Sequence, residues 1–463
     1  MTYYHERTMS IASEGEDSGF QEDQEEAFEE KPQSLLKTLF FEYSAGIDIA
    51  NKSVPSFILE PRSMTERFAD IMTHGELLID AMAITDPIDK MIMLAKWYMS
   101  GWHVQLRGIK KPYNPILGEV FRCFWRHSDG SRTWYLAEQV SHHPAVTAFR
   151  FQNETHCFSI SASVEAKPRF LGNSIQVKLE GGGTMEVWKP GRPAESYVVT
   201  FPSVYLRGLF LGKLAMEIAG PTCVVSPTLG LSAFCLMEAK PFLRGKYNQF
   251  SGYISESLPN DLVNGRVNVS NHSARRTKLM EVRGDWTGQT EVRDLREQPA
   301  IGNGDWFPFV NVRTLPYLRK ATAKLHHQEP FESRIVWGNL TPALLARDFT
   351  KASQAKADVE VAQRAIAKER HNRKEGWVQR YFHYDSKTKE WKINWIDELR
   401  KNQANVKEEE RIILTPYNLV DASTLISPPI LDHVPKSSEH DQFSEVQPQL
   451  PEHLAHPWPM YPS

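Results

Sequence analysis

Apolar positions recur along this chain with two different periods, and the change between them divides it. Leu35, Leu36, Leu39, Phe40 and Tyr43 stand at helical spacing, with Lys37, Thr38 and Glu42 elsewhere on the wheel, which predicts a short amphipathic helix ahead of the main body. Ile47, Ile49 and Val54 follow, then Pro55, which holds the residue before it extended. Ser63 and Glu66 have capping-box spacing and predict a helix through Phe68, Ile71 and Met72. Pro87 fits the first turn of another, running through Met91, Leu94 and Trp97.

From Glu119 the period drops to two. Phe121, Cys123 and Trp125 alternate with Arg122, Phe124 and Arg126, and Phe158, Ile160 and Ala162 alternate with serines. Strand-like runs recur at 174–179, 185–188, 197–201, 231–237 and 266–270, separated by turn signals that include Gly181-Gly182-Gly183, read as a hairpin turn, and Asn264-Gly265. So many short strands behind a helical layer predict a mainly β fold with α elements, closed toward a large antiparallel barrel because closure removes exposed edges. After Arg319 the pattern returns to helix and ends in an Ala-, Lys-, Glu-, Gln- and Arg-rich stretch at 350–373; Trp377, Tyr381, Phe382, Trp391 and Trp395 then supply aromatics to seal the body.

The flanks differ in composition. Residues 14–30 are dominated by Glu, Asp and Gln, and 1–33 are expected to stay disordered as an acidic tail; 396–463 form an extension whose prolines exclude long helices and central strands after 426. With 41% hydrophobic residues and a net charge of −3, the body is ordinary and globular, without the basic surface that nucleic acid demands. Cys123, Cys157, Cys223 and Cys235 fit neither a zinc site nor a redox pair and are expected to be reduced and buried, in the cytosol. No apolar run reaches the roughly eighteen residues of a membrane span, and residues 1–18 lack a signal-peptide core.

The chemistry concentrates in three places. Glu138-Gln139-Val140-Ser141-His142-His143-Pro144 puts two histidines side by side, which on a regular strand would face opposite ways; Pro144 breaks the ladder and lets them converge. Two imidazoles beside a phosphate suit a phosphomonoester, though one structural and one exposed histidine would give the same spacing. Lys110-Lys111-Pro112-Tyr113-Asn114-Pro115 holds an irregular backbone from which Lys111 and Asn114 present a cation and an amide. Lys356, Glu360 and Arg364 fall at i, i+4 and i+8 along one helical stripe, a spacing equally typical of a solvated ion-pair face. There is no Gly-x-Ser-x-Gly elbow, His-Glu-x-x-His or Walker loop, so nothing points to an enzyme, a metal or a cofactor.

Together the three pieces resemble the ligand domain of the oxysterol-binding-protein-related family. The histidine heptapeptide is that family's signature, although Ala145 stands where most relatives have a second proline; the Trp97-to-Trp102 and Arg169-to-Ser174 stretches agree as well. The resemblance spans 34–395 and implies an incomplete antiparallel β-barrel around a lipid tunnel, an N-terminal lid at 34–54, a helical layer and a C-terminal helical subdomain. It implies non-vesicular transfer of phosphatidylinositol 4-phosphate in exchange for a second lipid by a cytoplasmic monomer, peripheral at endoplasmic reticulum and plasma membrane contact sites and touching anionic membranes. His142, His143 and Arg364 would hold the 4-phosphate, Lys111 and Asn114 the headgroup and diester, Lys356 a further charge, Glu360 the inositol hydroxyls, and Val54 of the lid the ligand. Phe57-Ile58-Leu59-Glu60 resembles the phosphatidylserine-carrying branch, so phosphatidylserine is the expected second cargo; Pro168 replaces that branch's serine after the lysine and leaves a sterol as the alternative. A lipid sensor or scaffold without net transport would carry the same residues.

Overall fold

The computed structural model describes residues 56–394 and 443–446, apart from 106–109, 189–193, 209–214, 242–244, 259–261, 264–265, 268–277, 297–304, 324 and 326–327. The lid at 34–54 with Val54, both ends of the chain and Trp395 lie outside the described residues.

Strands β1 (Leu59–Ser63) and β2 (Lys111–Tyr113) pair in parallel, flanking helices α1 (Gly75–Ala83) and α2 (Pro87–Ser100). Asp86 caps α2 by accepting the amides of Ile88 and Asp89, with Pro87 in the first turn as its sequence predicts. The strands that follow are β3 (Val120–Arg126), β4 (Arg132–His142), β5 (Ala145–Asn153), β6 (Phe158–Phe170), β7 (Ser174–Val187), β8 (Glu195–Val199), β9 (Ser203–Arg207), β10 (Ala215–Ser226), β11 (Leu231–Glu238) and β12 (Gln249–Ser255). A small hairpin, β13 (Leu262–Val263) and β14 (Arg266–Val267), precedes β15 (Lys278–Asp285), β16 (Gln289–Asp294), β17 (Phe307–Asn311) and β18 (Lys320–Ala323). After the short helices Ser333–Val336 and Leu340–Leu345 come helix α3 (Phe349–Asn372), the hairpin β19 (Phe382–Asp385) and β20 (Glu390–Ile393), and β21 (Phe443–Val446).

Among the described residues, β3–β12, β15–β18 and β21 form one 15-stranded sheet, a near-sequential meander from β17 through β10, β7 and β4 to β18 and β21, with β9 against both β7 and β10. A flat sheet of that width, at about 4.8 Å per strand, would hold its two ends some 60–70 Å apart. Phe121 and Trp125 near one end nevertheless share a single apolar core with Phe309 and Val310 at the other, together with Leu78, Met91, Leu94 and Trp97 of the helical layer. The meander therefore curls on itself, and among the described residues the outermost strands do not pair with each other: the barrel is incomplete. Smaller cores lie outside it. One gathers Leu59, Tyr113, Trp337, Leu340 and the first turns of α3, and another covers the outer face of β3–β5 with Phe382, Ile393 and Trp391.

Several expectations need correction. Gly181-Gly182-Gly183 is no hairpin turn: it lies inside the continuous β7, opposite Val164, Ser163 and Ala162 of β6. Residues 174–177 of β7 pair with β9 and residues 183–187 with β8, so the glycines mark the handover between partners. A Cβ at Gly181, whose φ is +124°, would sit 2.1 Å from the Ser163 carbonyl oxygen, so close backbone approach explains the glycine. The capping box at Ser63 is not formed; helix 64–67 gives way to a 3-10 turn over 68–74, because Glu66 is drawn to Arg334 and Lys320 at 2.9 and 3.1 Å. Lys320–Ala323, expected to be helical, is strand β18, and within the expected unstructured C-terminal segment β21 pairs with it. Of the four free thiols, Cys157 is only half-buried, because it occupies the β5–β6 turn at a φ of 53°.

Glu66 belongs to a buried ionic network. Arg62 reaches Asp70 at 2.6 Å, Arg67 reaches Glu60 at 2.8 Å, and Lys320 bridges Glu66 and Asp70 at 3.1 and 3.2 Å. Burial alone would push Glu66 up, but Arg334 and Lys320 outweigh it and hold the carboxyl at about 2.

Candidate functional site

β4 ends on His142, β5 begins on Ala145, and these two residues face each other across the ladder, so His143-Pro144 is the tight connection between them. The register slips at Val140, just before the histidines. Departure from the strand thus solves the problem of adjacent residues facing opposite ways: the His142 and His143 rings lie 4.7 Å apart at an angle of 70°. Gln139 fastens this hairpin, accepting the Thr147 hydroxyl at 2.6 Å and donating to the Ser141 carbonyl at 2.9 Å.

The loop bearing Lys111 and Asn114 is tied to the same strand. Gly118 N–H donates to Gln139 O and Gln139 N–H to Glu119 O, each at 2.9 Å. Behind it the fully buried Glu119 carboxylate accepts from Ser333 Oγ at 2.7 Å, Trp337 Nε1 at 3.0 Å and Ile116 N at 3.0 Å. Lys111 and Asn114 remain exposed in front. Desolvation of the Lys111 ammonium and the charge of Lys356 lower its pKa, while Glu360 opposes.

α3 supplies the third piece. Ala352 and Ala355 pack into the Leu59–Tyr113–Trp337 core, and Lys356, in the same early part of the helix, is buried. Lys356 Nζ donates to Glu360 Oε1 at 2.7 Å; Arg364 Nη1 stands 4.0 Å from Glu360 Oε2 with its side chain 67% exposed. Glu360 is also felt by His142, whose imidazole is held below its ordinary value by burial and by His143, with the Pro115 carbonyl and Glu360 opposing.

The structure thus joins His142 to His143, Lys356 and Arg364 to Glu360, and sets Lys111 beside the helical stripe. Asn114 shares the loop with Lys111 and is exposed like it, and Val54 is outside the described residues. Glu360 faces three cations, Lys111, Lys356 and Arg364. At this site two buried nitrogens, His142 Nδ1 and Trp377 Nε1, are among those that have no hydrogen-bond partner in the described residues. Such an arrangement can receive an anion whose oxygens accept several donors at once.

Comparison with known proteins decides the family: the model for oxysterol-binding protein matches residues 38–407. The chain belongs to that family. Within it, the chain is 33% identical over 399 residues to oxysterol-binding protein-related protein 8 of Mus musculus and 34% over 399 to oxysterol-binding protein-related protein 5 of Homo sapiens, in each case covering 86% of this chain and 42% of the relative. It therefore spans less than half of those relatives' length. Oxysterol-binding protein 4 of Dictyostelium discoideum is 31% identical over 366 residues, 77% of this chain and 73% of that protein. Among solved family structures, the Osh1 ORD domain in complex with cholesterol superposes with a TM-score of 0.60 at 19% identity, covering 82% of this chain and 99% of that one. The Osh3 ORD in complex with PI(4)P from Saccharomyces cerevisiae gives 0.54 at 21% identity, covering 79% and 92%. These likenesses confirm the fold, the incomplete barrel of this family.

The sequence gives no sign of a role at the site for Glu138, for Gln379 or for Trp377, expected only to help seal the body, yet all three lie at the junction of the three pieces. Gln379 Nε2 donates to Val140 O at 3.2 Å, and the Trp377 ring lies over Gly118. A glycine directly before the buried Glu119 was the visible signal: at a φ of +78°, Gly118 leaves room for an aromatic that nothing nearby in sequence supplies.

Proposed function

We propose that this domain takes up phosphatidylinositol 4-phosphate by its phosphomonoester and exchanges it for a second lipid between membranes. The observation that carries this reading is the convergence of His142 and His143, rings 4.7 Å apart, beside a cation-rich stripe and with a buried ring nitrogen left unpartnered. In it His142, His143 and Arg364 hold the 4-phosphate, Lys111, Asn114 and Lys356 engage the rest of the headgroup, and Glu360 moves from pairing cations to accepting inositol hydroxyls. Each charge-assisted bond contributes about 1.5–3 kcal/mol.

The acyl chains explain why a barrel is required. A two-chain phospholipid has on the order of thirty methylenes, and at about 0.8 kcal/mol each their exposure to water would cost roughly 25 kcal/mol. The carrier must offer an apolar interior before the lipid leaves its bilayer, and the 34–54 segment, with Val54 against the ligand, is the lid in this reading. Phosphatidylserine is the second cargo the family resemblance favours, with endoplasmic reticulum and plasma membrane as the membranes served. A sterol is the other reading, favoured by the cholesterol-bound Osh1 neighbour and by Pro168, which removes a hydroxyl and a backbone donor.

Donor liposomes carrying labelled phosphatidylinositol 4-phosphate and acceptors carrying phosphatidylserine or a sterol test it. Transfer of the phosphoinositide is expected to accelerate when acceptors hold the second cargo. Ligand-dependent recruitment to liposomes without transfer would make the protein a sensor, and simultaneous saturation by one molecule of each lipid would rule out exchange through one tunnel.

A further inference from the structure

Glu138 opens the signature heptapeptide four residues before His142 and is fully buried. It faces away from the histidines' task, since both of its oxygens are taken by backbone: Oε1 accepts the amide of Arg380 and Oε2 that of Tyr381, each at 2.8 Å. Burial raises its pKa and these amides oppose the rise.

The segment it holds touches every part of the site. Gln379 donates to Val140 on the histidine strand, and Trp377 covers Gly118 on the lysine loop, where a Cβ would come within 2.3 Å of the indole. Arg370, in the last turns of α3, stands 5.3 Å from the centre of the Trp377 ring. α3 itself is buried only at Ala352, Ala355 and Lys356, near its start. A helix anchored at one end needs a second fixed point to aim its middle, where Glu360 and Arg364 lie.

We propose that Glu138 is a positioning residue of the anion site: by clamping the amides of Arg380 and Tyr381 to the histidine strand, it fixes α3 and its cationic stripe relative to His142 and His143. This rests on the reading of that site as the phosphate-binding one. A carboxylate suits the task because two neighbouring N–H donors require two acceptor oxygens; glutamine has one and turns an NH2 toward the second donor. Binding sites tolerate displacements of only about 0.5 Å before multidentate contacts are lost.

The test compares full-length Glu138→Gln with Ser226→Ala. Ser226 is a buried residue five strands away along the sheet whose hydroxyl donates to Ser196 O at 2.9 Å. Urea midpoints, extraction of phosphatidylinositol 4-phosphate from liposomes and NMR titration of the His142 and His143 rings are measured on each. Glu138→Gln is expected to weaken the phosphoinositide at least tenfold and to shift both histidine titrations, while Ser226→Ala lowers the midpoint and leaves the other two alone. Wild-type affinity and wild-type titrations in Glu138→Gln overturn the proposal, as does an affinity loss in Ser226→Ala that tracks its stability. Should Glu138→Gln fail to fold, Gln379→Ala, which loosens the same clamp from the other side, is expected to shift the titrations in its place, and unshifted curves count against the clamp. If the wild type extracts no phosphoinositide, the functional reading fails, and the histidine titrations still decide whether Glu138 positions the pair.

Discussion

Two charged clusters stand among the described residues, and they differ in how closely their charges are matched. Glu60, Glu66 and Asp70 meet Arg62, Arg67, Lys320 and Arg334 with every side chain at most 11% exposed, and more than one cation acts on each carboxylate. In the other, Glu360 stands against Lys111, Lys356 and Arg364 with two histidines alongside, and part of the cluster faces solvent. A cluster that closes on itself has no donor left for a ligand. In the proposed reading, an anion bound beside the unpartnered His142 ring nitrogen completes the second.

The largest expected effect tests that reading directly. His142→Ala with His143→Ala removes two charge-assisted bonds, about 3–6 kcal/mol together, or two to four orders of magnitude in affinity for phosphatidylinositol 4-phosphate. Liposome extraction reads it, and the second cargo, lacking a phosphomonoester, is expected to bind as before. Wild-type extraction by the double variant would move the anion elsewhere.

The closed cluster behaves differently when broken. Asp70→Ala takes one buried carboxylate from Arg62 and Lys320, leaving Arg62 to Glu60 and Lys320 to Glu66, and breaking such buried pairs costs about 3–5 kcal/mol, visible as a lowered urea midpoint. Acid acts in the same direction. Glu66 is held at about 2 against an ordinary 4.5, so its contribution to stability is complete above roughly pH 4.5 and is lost as pH falls toward 2. A midpoint flat between pH 5 and 3 in the wild type would contradict this.

Proton uptake gives a smaller effect, confined to the open cluster. Burial and His143 keep the His142 imidazole below its ordinary value, hence neutral at pH 7.5, whereas a bound phosphate is expected to raise it. Affinity is therefore expected to rise as pH falls from 8 toward 6.5, by at most about tenfold per pH unit for one proton. Below about pH 6 the phosphomonoester itself gains a proton and the trend reverses. Isothermal titration at several pH values measures the slope, and His142→Gln is expected to flatten it.

Periodicity made the architecture readable: helices before strands, the alternation of β3 and β6, and Pro87 opening α2 all follow from local physics. The triple glycine was misread because turn composition cannot distinguish a reversal from a strand that passes close to its neighbour's backbone; only the register of β6 and β9 reveals which. The Ser63–Glu66 spacing misled for a related reason, since a capping box competes with ionic partners at Lys320 and Arg334, far along the chain. At the site, residue types and spacings were legible in His142, His143 and the stripe. The clamp at Glu138 was not, because its partners are backbone amides, which carry no sequence signal.

Within the open cluster, exposure grades the contributions, and Arg364 should matter least among its cations. Its side chain is 67% exposed and its carboxylate partner lies at 4.0 Å, so water and salt screen it, and ordering a long side chain offsets part of any bond it makes. Arg364→Ala is expected to weaken phosphatidylinositol 4-phosphate by about 1 kcal/mol or less, roughly fivefold, shrinking further as ionic strength rises. Lys351→Ala, exposed on the same helix but outside the stripe, serves as the comparison and is expected to change nothing. Equal losses from both would reduce the stripe to diffuse surface charge. A loss from Arg364→Ala as large as that of the histidine pair would mean instead that α3 closes over the bound phosphate and desolvates the guanidinium, making the open cluster as closed, once filled, as the buried one.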